Sequence, residues 1–507
     1  MRSPKLLLPA LDRHHPFGFA LRRVRVNALR SVKGRATRSK TVESARAAVA
    51  DVPDGATVAI GGFGVIQSWP ASLITALRDR GSRGLTLICN IPGVGPTSPQ
   101  ILAENHQVRR LIASFAAYPT RPTPVEAAIN RGEIELELVA QGTLAERMRA
   151  GGAGIAALFT PTGVGTDVAR GKEVREIGGR RYVLETALRP DFALVRAARA
   201  DACGNLVYRR GARNMNPLFA TAGRVTVTEV DEITEPGGLD SEKIVTPGIF
   251  VDRLVRCEQP LDVAALRELS RRFGKQWDLE ARRRDVGPQG IPPDLMALRA
   301  ARLLRRGEYV NLGIGLPTLI SSYIRPEDEI TLHSENGMLG FGALAGDGEV
   351  DLDLYNASGQ LVDLLPGASF FDSAESFGMA RSGRVTSIVL GGFQVSARGD
   401  LANWNVPATG VGGIGGAMDL ASGDARVVVV MFHLTRDGQA KLVERCDYPL
   451  TAERCVRTVV TDLALLDVDG EGFLVRELAP GVTLDDLRQT TAAPLRAAAD
   501  LQEMRFA

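Results

Sequence analysis

Cysteine is scarce in this 507-residue chain: Cys89, Cys203, Cys257, Cys446 and Cys455 are widely spaced and form no Cys-x-x-Cys pair. That pattern excludes a disulfide framework and a cysteine zinc site, and it fits a reducing compartment. Histidine is equally rare, with five dispersed residues, so no metal centre is expected. Aromatic residues make up 5% of the chain, and they are not interleaved with basic residues in a repeated pattern, which speaks against nucleic-acid binding. No apolar run approaches the ~20 residues that span a bilayer, so no transmembrane helix is expected. A dominant charge is missing as well. The formal net charge of +2 gives no overall drive toward nucleic acid or membrane surfaces.

What remains is the composition of a soluble globular protein, 45% hydrophobic and 24% charged. The length exceeds what one hydrophobic core organises, so two or more domains are expected. Charge is unevenly spread. Residues 1–40 hold eleven Lys/Arg against one acid, Asp12, and the remainder is slightly acidic. Such an arm has the Arg-rich, acid-poor character of a mitochondrial transit peptide. Its few serines, and the Ala/Arg richness of the whole chain, favour a disordered basic extension or an early start codon. A cytoplasmic location is therefore expected, with the mitochondrial matrix as the alternative.

The same plan occurs twice. Asp54-Gly55-Ala56-Thr57-Val58-Ala59-Ile60-Gly61-Gly62-Phe63-Gly64 leads to Pro70, and Arg306-Gly307-Glu308-Tyr309-Val310-Asn311-Leu312-Gly313-Ile314-Gly315 leads to Pro317. Each reads as a turn glycine, a short apolar strand, a glycine loop, and a proline opening a helix. A second pair follows in the same order: Phe192–Val195 running on to Gly204-Asn205-Leu206, and Ser387–Leu390 running on to Gly399-Asp400-Leu401. Both read as a buried strand followed by a hairpin-like turn. Two matches in order indicate an internal duplication. The expected organisation is a disordered arm over 1–40, related α/β domains over 41–257 and 292–507 with mainly parallel sheets, and a charged linker over 258–291.

Glycine-rich segments punctuate both halves. Gly61-Gly62-Phe63-Gly64 and Gly313-Ile314-Gly315 each sit between a strand and a helix, where a backbone without Cβ atoms serves either ligand approach or tight packing. The run from Gly410 to Gly416 contains a literal G-x-G-x-x-G. No strand leads into it, and Arg426–Met431 reads as a strand where a dinucleotide site needs a helix. Exposed N–H groups there still suit an oxyanion. The stretch from Gly165 to Lys172 fails the P-loop spacing and has Glu173 where Ser or Thr belongs. No serine nucleophile elbow is present.

One carboxylate stands out. Ile330 to His333 alternates like a strand, and Ser334-Glu335-Asn336-Gly337 then breaks into a tight turn. Glu335 is thereby placed at a strand's carboxyl end, where open α/β sheets set their chemistry. With an ordinary pKa it would be ionised at neutral pH and ready to act as a nucleophile. A solvated turn glutamate is the bland alternative. His333, two residues earlier, reads as a packed, hydrogen-bonded histidine rather than a base.

These segments together resemble the class I CoA-transferases, most closely the succinyl-CoA:3-oxoacid type in which two subunits are fused in one chain. The resemblance runs from about residue 41 to the end. It rests on Gly61–Gly64, Gln141-Gly142-Thr143-Leu144-Ala145-Glu146-Arg147, Thr160-Pro161-Thr162-Gly163, Ala212-Arg213-Asn214, Asn311–Gly315, Asp400-Leu401-Ala402-Asn403-Trp404, and above all Ser334-Glu335-Asn336-Gly337 with Gly415-Gly416-Ala417-Met418-Asp419. The resemblance implies Glu335 as the nucleophile that carries a glutamyl-CoA thioester. It implies Gly416 and Ala417 as oxyanion amides and Gln141 as a catalytic polar group. Asn90, Asn311, Gly313, Gly315, Gly415, Gly61, Gly62 and Phe63 would bind substrate or coenzyme. Ping-pong transfer between acyl-CoA and a carboxylic acid would follow, with coenzyme A as co-substrate, no permanently bound cofactor or metal, and a homodimeric assembly. Two first-half segments depart from the family pattern, Val65–Ser72 and Ala116–Pro122. The acid partner is accordingly open: a 3-oxoacid leads, with 3-oxoadipate or a short-chain acid behind it. An acyl-CoA hydrolase using the same glutamate is the alternative activity, and a non-catalytic ligand sensor of the same fold is a third reading.

Overall fold

The computed structural model describes residues 39–64, 68–116, 123–259, 268, 290–345, 351–356, 358–407 and 410–506. The basic arm to residue 38, most of the expected linker, and parts of the two departing segments (65–67 and 117–122) lie outside them.

First-half strands run in chain order as β1 (Thr57–Ile60), β2 (Leu85–Cys89), β3 (Val108–Ala113), β4 (Glu135–Leu138), β5 (Ala157–Thr160), β6 (Val174–Ile177), β7 (Arg180–Thr186), β8 (Phe192–Asp201), β9 (Leu206–Val207), β10 (Val225–Thr234) and β11 (Arg253–Arg256). Among the described residues they form an eight-stranded sheet of order β11-β10-β8-β1-β2-β3-β4, with β9 beside β8, and a small sheet β5-β7-β6. Neighbours along the long path are all parallel; the two-residue β9 is antiparallel. Parallel strands are covered on both faces, which explains why β1, β2 and the start of β8 are apolar almost without interruption.

The second half supplies β12 (Tyr309–Leu312), β13 (Thr331–Ser334), β14 (Met338–Leu344), β15 (Val362–Phe370), β16 (Ser387–Leu390), β17 (Gln394–Ser396), β18 (Leu401–Ala402), β19 (Arg426–Val430), β20 (Leu442–Val443), β21 (Val456–Val460), β22 (Ala464–Val468), β23 (Phe473–Leu478) and β24 (Leu495–Glu503). Among the described residues the main sheet has ten strands in the order β15-β14-β13-β12-β16-β19-β21-β22-β23-β24, and β18-β17-β20 is separate. Its centre, β13-β12-β16-β19-β21, is parallel. The antiparallel pairs lie at its flanks.

The duplication is visible in this order, because β10-β8-β1-β2 recurs as β19-β16-β12-β13. It extends to the loop glycines. Gly61 N–H donates to Leu194 O at 2.9 Å, and Gly313 N–H donates to Val389 O at 2.8 Å. The copies then diverge. Pro70 opens helix α1 (Ala71–Arg80), as expected, whereas Pro317 falls in a 3₁₀ stretch, Leu316–Tyr323. There Thr318 N–H reaches back only three residues to Gly315 O.

Three further helices carry or brace the site: α2 (Gln141–Gly152), α3 (Ser373–Arg381) and α4 (Ala417–Ala421). The chain from Ser39 onward is one compact unit. A buried cluster around Phe63, Leu144, Met148 and Phe219 takes in Ala374 of α3, and another joins Ala140 to Ile414 and Met418. Apolar packing therefore fixes how the two halves meet.

Candidate active site

Strand β13 ends at Ser334 and the chain returns as β14 from Met338, which leaves Glu335, Asn336 and Gly337 as the turn. Gly337 has φ +100°, and a Cβ placed there would lie 2.1 Å from the Phe371 carbonyl oxygen. The turn therefore requires glycine. Glu335 is only 6% exposed, so the solvated-turn alternative is excluded. The expectation of an ordinary pKa also needs correction. Burial pushes the carboxyl above its usual range, and hydrogen bonds from its own backbone and from Asn311 offset only part of that shift. A turn in the sequence looks wet; this one is buried.

Asn311 lies on β12, in register with His333 on β13. Its Nδ2 stands 3.1 Å from Glu335 Oε2, 3.1 Å from His333 Nδ1 and 3.3 Å from the His333 carbonyl oxygen. His333 is buried and hydrogen-bonded, as its sequence context indicated.

Contacts lead from this turn around a closed circuit through both halves. Asn336 Nδ2 donates to Tyr355 O at 3.0 Å, and Tyr355 OH donates to Phe63 O at 3.4 Å. Gly64 N–H donates to Asn90 Oδ1 at 3.2 Å, and Gln141 Nε2 donates to the same oxygen at 3.4 Å. Gln141 N–H then donates to Gly415 O at 2.9 Å. Gly416 faces Phe377 so closely that a Cβ on it would meet that ring at 3.0 Å and Gln141 Oε1 at 2.9 Å. Next to Phe377 on α3, Ser376 Oγ donates to Ser334 O at 3.2 Å, one residue before Glu335.

This circuit links Glu335 and Asn311 to Asn90, Gln141 and the Gly415–Gly416 loop. Around it, Asn90 Nδ2, Gln141 Oε1, Asn311 Oδ1 and Ser334 Oγ are buried without a partner among the described residues. Buried polar atoms are ordinarily paired. A group of half-satisfied amides and a hydroxyl around one desolvated carboxylate is what a polar substrate would complete.

The remaining candidate residues serve the protein itself in part. A Cβ on Gly61 would lie 2.2 Å from Asn216 Oδ1, one on Gly313 3.1 Å from Leu390 and Val389, and one on Gly415 2.5 Å from the Phe115 ring. These glycines permit close packing. Gly62 and Gly315 adopt positive φ, +120° and +96°. The Phe63 side chain is buried in the apolar cluster. The third glycine run departs from expectation: helix α4 begins directly after it at Ala417, ahead of β19. That helix has five residues. Gly416 caps it, and its first N–H groups have no acceptor inside so short a helix.

Sequence reasoning missed Tyr355, Ser376, Phe377 and Asp419. Only Asp419 carried a signal, as the last residue of Gly-Gly-Ala-Met-Asp. Cavities elsewhere do not compete for the role. One of about 490 Å³ is lined by Arg110, Glu137, Arg147, Lys172 and Glu185, whose charges pair among themselves at 2.6–2.7 Å. Another of about 520 Å³ lies beside Cys257 and Glu258.

The pattern described as Coenzyme A transferase matches residues 42–256 and 294–490. The chain belongs to the coenzyme A transferase family. Within that family it is 42% identical over 477 residues to human "Succinyl-CoA:3-ketoacid coenzyme A transferase 2, mitochondrial", with 90% of each chain covered. It is 50% identical over 201 residues to one of the subunits of the 3-oxoadipate CoA-transferase of Pseudomonas putida, covering 39% of this chain and 94% of that one. The fold is that of an acyl-CoA transferase from Escherichia coli O157:H7 solved as a thioester complex with CoA, at TM-score 0.73 and 19% identity, covering 93% of this chain and 96% of that one.

Proposed function

We propose that this CoA-transferase moves coenzyme A from succinyl-CoA to a 3-oxoacid, with Glu335 as its transient carrier. The observation behind this reading is the buried carboxylate, held by Asn311 and linked by a circuit of contacts to half-satisfied amides from both halves. Glu335 Oε attacks the thioester carbonyl carbon; the C–O bond forms, the C–S bond breaks, and CoA leaves as thiolate. The thiolate then attacks the glutamyl carbonyl of the mixed anhydride, releasing the donor's acid and leaving a glutamyl-CoA thioester. An acceptor carboxylate reverses both steps. No redox change and no net proton transfer is involved. Gly416 and Ala417 N–H groups would face the oxyanion, where loss of one donor costs about 10²–10³ in rate. Gln141, Asn90 and Asn311 would orient the acyl group and the nucleophile.

The choice of succinyl-CoA and a 3-oxoacid follows the human relative, which matches along 90% of both chains; 3-oxoadipate is the competing acid, after the Pseudomonas relative. For the compartment, the human relative's name favours the mitochondrial alternative. A homodimer is our reading of the assembly. A matrix of CoA donors against acid acceptors tests the substrates: fastest exchange with succinyl-CoA and acetoacetate is expected, and acceptor-independent CoA release would mark a hydrolase instead. Glu335→Ala should abolish exchange, and acyl-CoA should leave CoA on the peptide bearing Glu335 by mass. Substantial exchange in Glu335→Ala refutes the assignment.

A further inference from the structure

Resting on Glu335 as nucleophile, we propose that His333, locked by Ser376, holds the Asn311 amide in place as it donates to Glu335; His333 and Ser376 are then positioning residues. The argument is one of donors and acceptors. Asn311 Nδ2 has three neighbours: His333 Nδ1 at 3.1 Å, His333 O at 3.3 Å and Glu335 Oε2 at 3.1 Å. A carbonyl oxygen and a carboxylate only accept. The amide must therefore present its nitrogen here, since a flipped amide would set oxygen against oxygen at both. With the nitrogen in place, His333 Nδ1 must carry a lone pair, and the ring proton sits on Nε2.

Nε2 lies 2.9 Å from Ser376 Oγ, which is 3.2 Å from Ser334 O. The hydroxyl accepts from Nε2–H and donates to the carbonyl, so the ring and hydroxyl hydrogens each have one consistent place, while the two Asn311 hydrogens are shared among three acceptors. The ring plane is held by stacking on Phe371, centroids 6.3 Å apart and 12° between planes. His333 and Ser376 are buried, at 1% and 0% exposure. Burial also lowers the imidazole pKa to about 4, which keeps Nδ1 free at working pH. Among the described residues the titratable group hydrogen-bonded toward the Glu335 turn is His333, through Asn311 and through Ser376; Tyr355 offers that turn its backbone carbonyl, and its phenol donates to Phe63 O. Burial holds both neutral, and among the described residues no charged side chain contributes to the Glu335 shift.

The test compares pH profiles of kcat/KM for the full-length enzyme with His333→Phe, His333→Asn and Ser376→Ala. Phenylalanine removes the acceptor; asparagine can return an oxygen near the Nδ1 position. His333→Phe should lower kcat roughly 10- to 100-fold, the worth of one hydrogen bond to a charged group, with KM for acyl-CoA nearly unchanged. Its acid limb should move to higher pH, because the Asn311 N–H that favours the charged form of Glu335 is held less firmly. His333→Asn should recover most of the rate and the wild-type limb. Ser376→Ala, a smaller perturbation, should shift the limb in the same direction with a few-fold loss. A wild-type acid limb in both His333→Phe and Ser376→Ala, or equal damage from Phe and Asn, overturns the inference; if His333→Phe does not fold, the Ser376→Ala limb decides alone. Turnover persisting in Glu335→Ala would instead overturn the underlying assignment.

Discussion

Glu335 is an acid whose charge is opposed by its surroundings. Burial raises its pKa above the ordinary 4.5, and the partial offsets come from its own backbone and Asn311. The proposed nucleophile is the ionised form, so activity should fall on the acid side earlier than an exposed glutamate would dictate. A kcat/KM profile against pH is expected to show its acid limb above 4.5, and a limb at or below that value would contradict the burial argument. Gly416 offers a second residue-scale test. A methyl there would press on Phe377, which is fully buried, and on the Gln141 amide, which can swing away. Gly416→Ala should cost about 1–3 kcal/mol of stability, as overpacking does. It should cut kcat more than tenfold, on the order of one oxyanion donor misplaced. Chemical denaturation and steady-state kinetics measure the two effects separately. Activity near wild type would remove Gly416 from the chemistry.

At the scale of elements, the key joint is a helix cap made across the molecule. Asp419 on α4 accepts from Gly142 N–H at the start of α2 (2.7 Å), from Thr143 Oγ1 (3.2 Å) and from Thr162 Oγ1 (3.1 Å). Arg381 of α3 approaches it at 3.6 Å while pairing with Glu146 at 2.7 Å. One carboxylate thus ties together the helix carrying Gln141 and the loop carrying Gly416. Asp419→Ala leaves these donors unpaired and should cost about 1–3 kcal/mol, with kcat falling because both site segments lose their mutual register. Its pH signature follows from burial, which raises the carboxyl from 3.8 to about 6. A raised folded-state pKa means the protonated form is the one the fold favours. That contribution is complete below 3.8 and is lost as pH rises through about 6. The stability gap between wild type and Asp419→Asn, which cannot ionise, should therefore narrow from pH 4 to pH 7 in urea titrations. A gap that widens over that range would show that the charged carboxylate is the form the fold prefers. Strand–loop–helix units were legible because period-2 apolar runs, turn glycines and prolines are local signals. The cap was not, because Asp419 and Gly142 lie 277 residues apart and no periodicity records such a contact. The Glu335 pKa escaped the sequence for the same reason: the turn is a local signal, and its burial belongs to the tertiary fold.

At the scale of the whole molecule, duplication explains the fold and divergence explains the site. The repeated glycine loops were readable as a pair, and the recurring strand order bears that out. Yet the second copy alone turns back at β13–β14 to set Glu335 in a hairpin, while the first supplies Asn90 and Gln141. The halves meet through direct bonds: Gln141 N–H to Gly415 O at 2.9 Å, Gly211 N–H to Asp353 O at 3.1 Å, Ser373 N–H to Asn214 O at 3.1 Å, and Gly415 N–H to Ser114 O at 3.1 Å. Arg209 adds ion pairs to Asp351 and Asp353. Two of these run to Gly415 of the proposed site, so the interface and that site share residues. Chain continuity between the halves should then be dispensable once the protein is folded. A protease site placed between residues 269 and 289 and cut after purification should give fragments that co-elute and retain most of the exchange activity. Separating them in denaturant should abolish it, since neither fragment holds both Glu335 and Gln141. Loss of activity on cutting, with the fragments still associated, would show that the connection itself holds the two sets of residues in register.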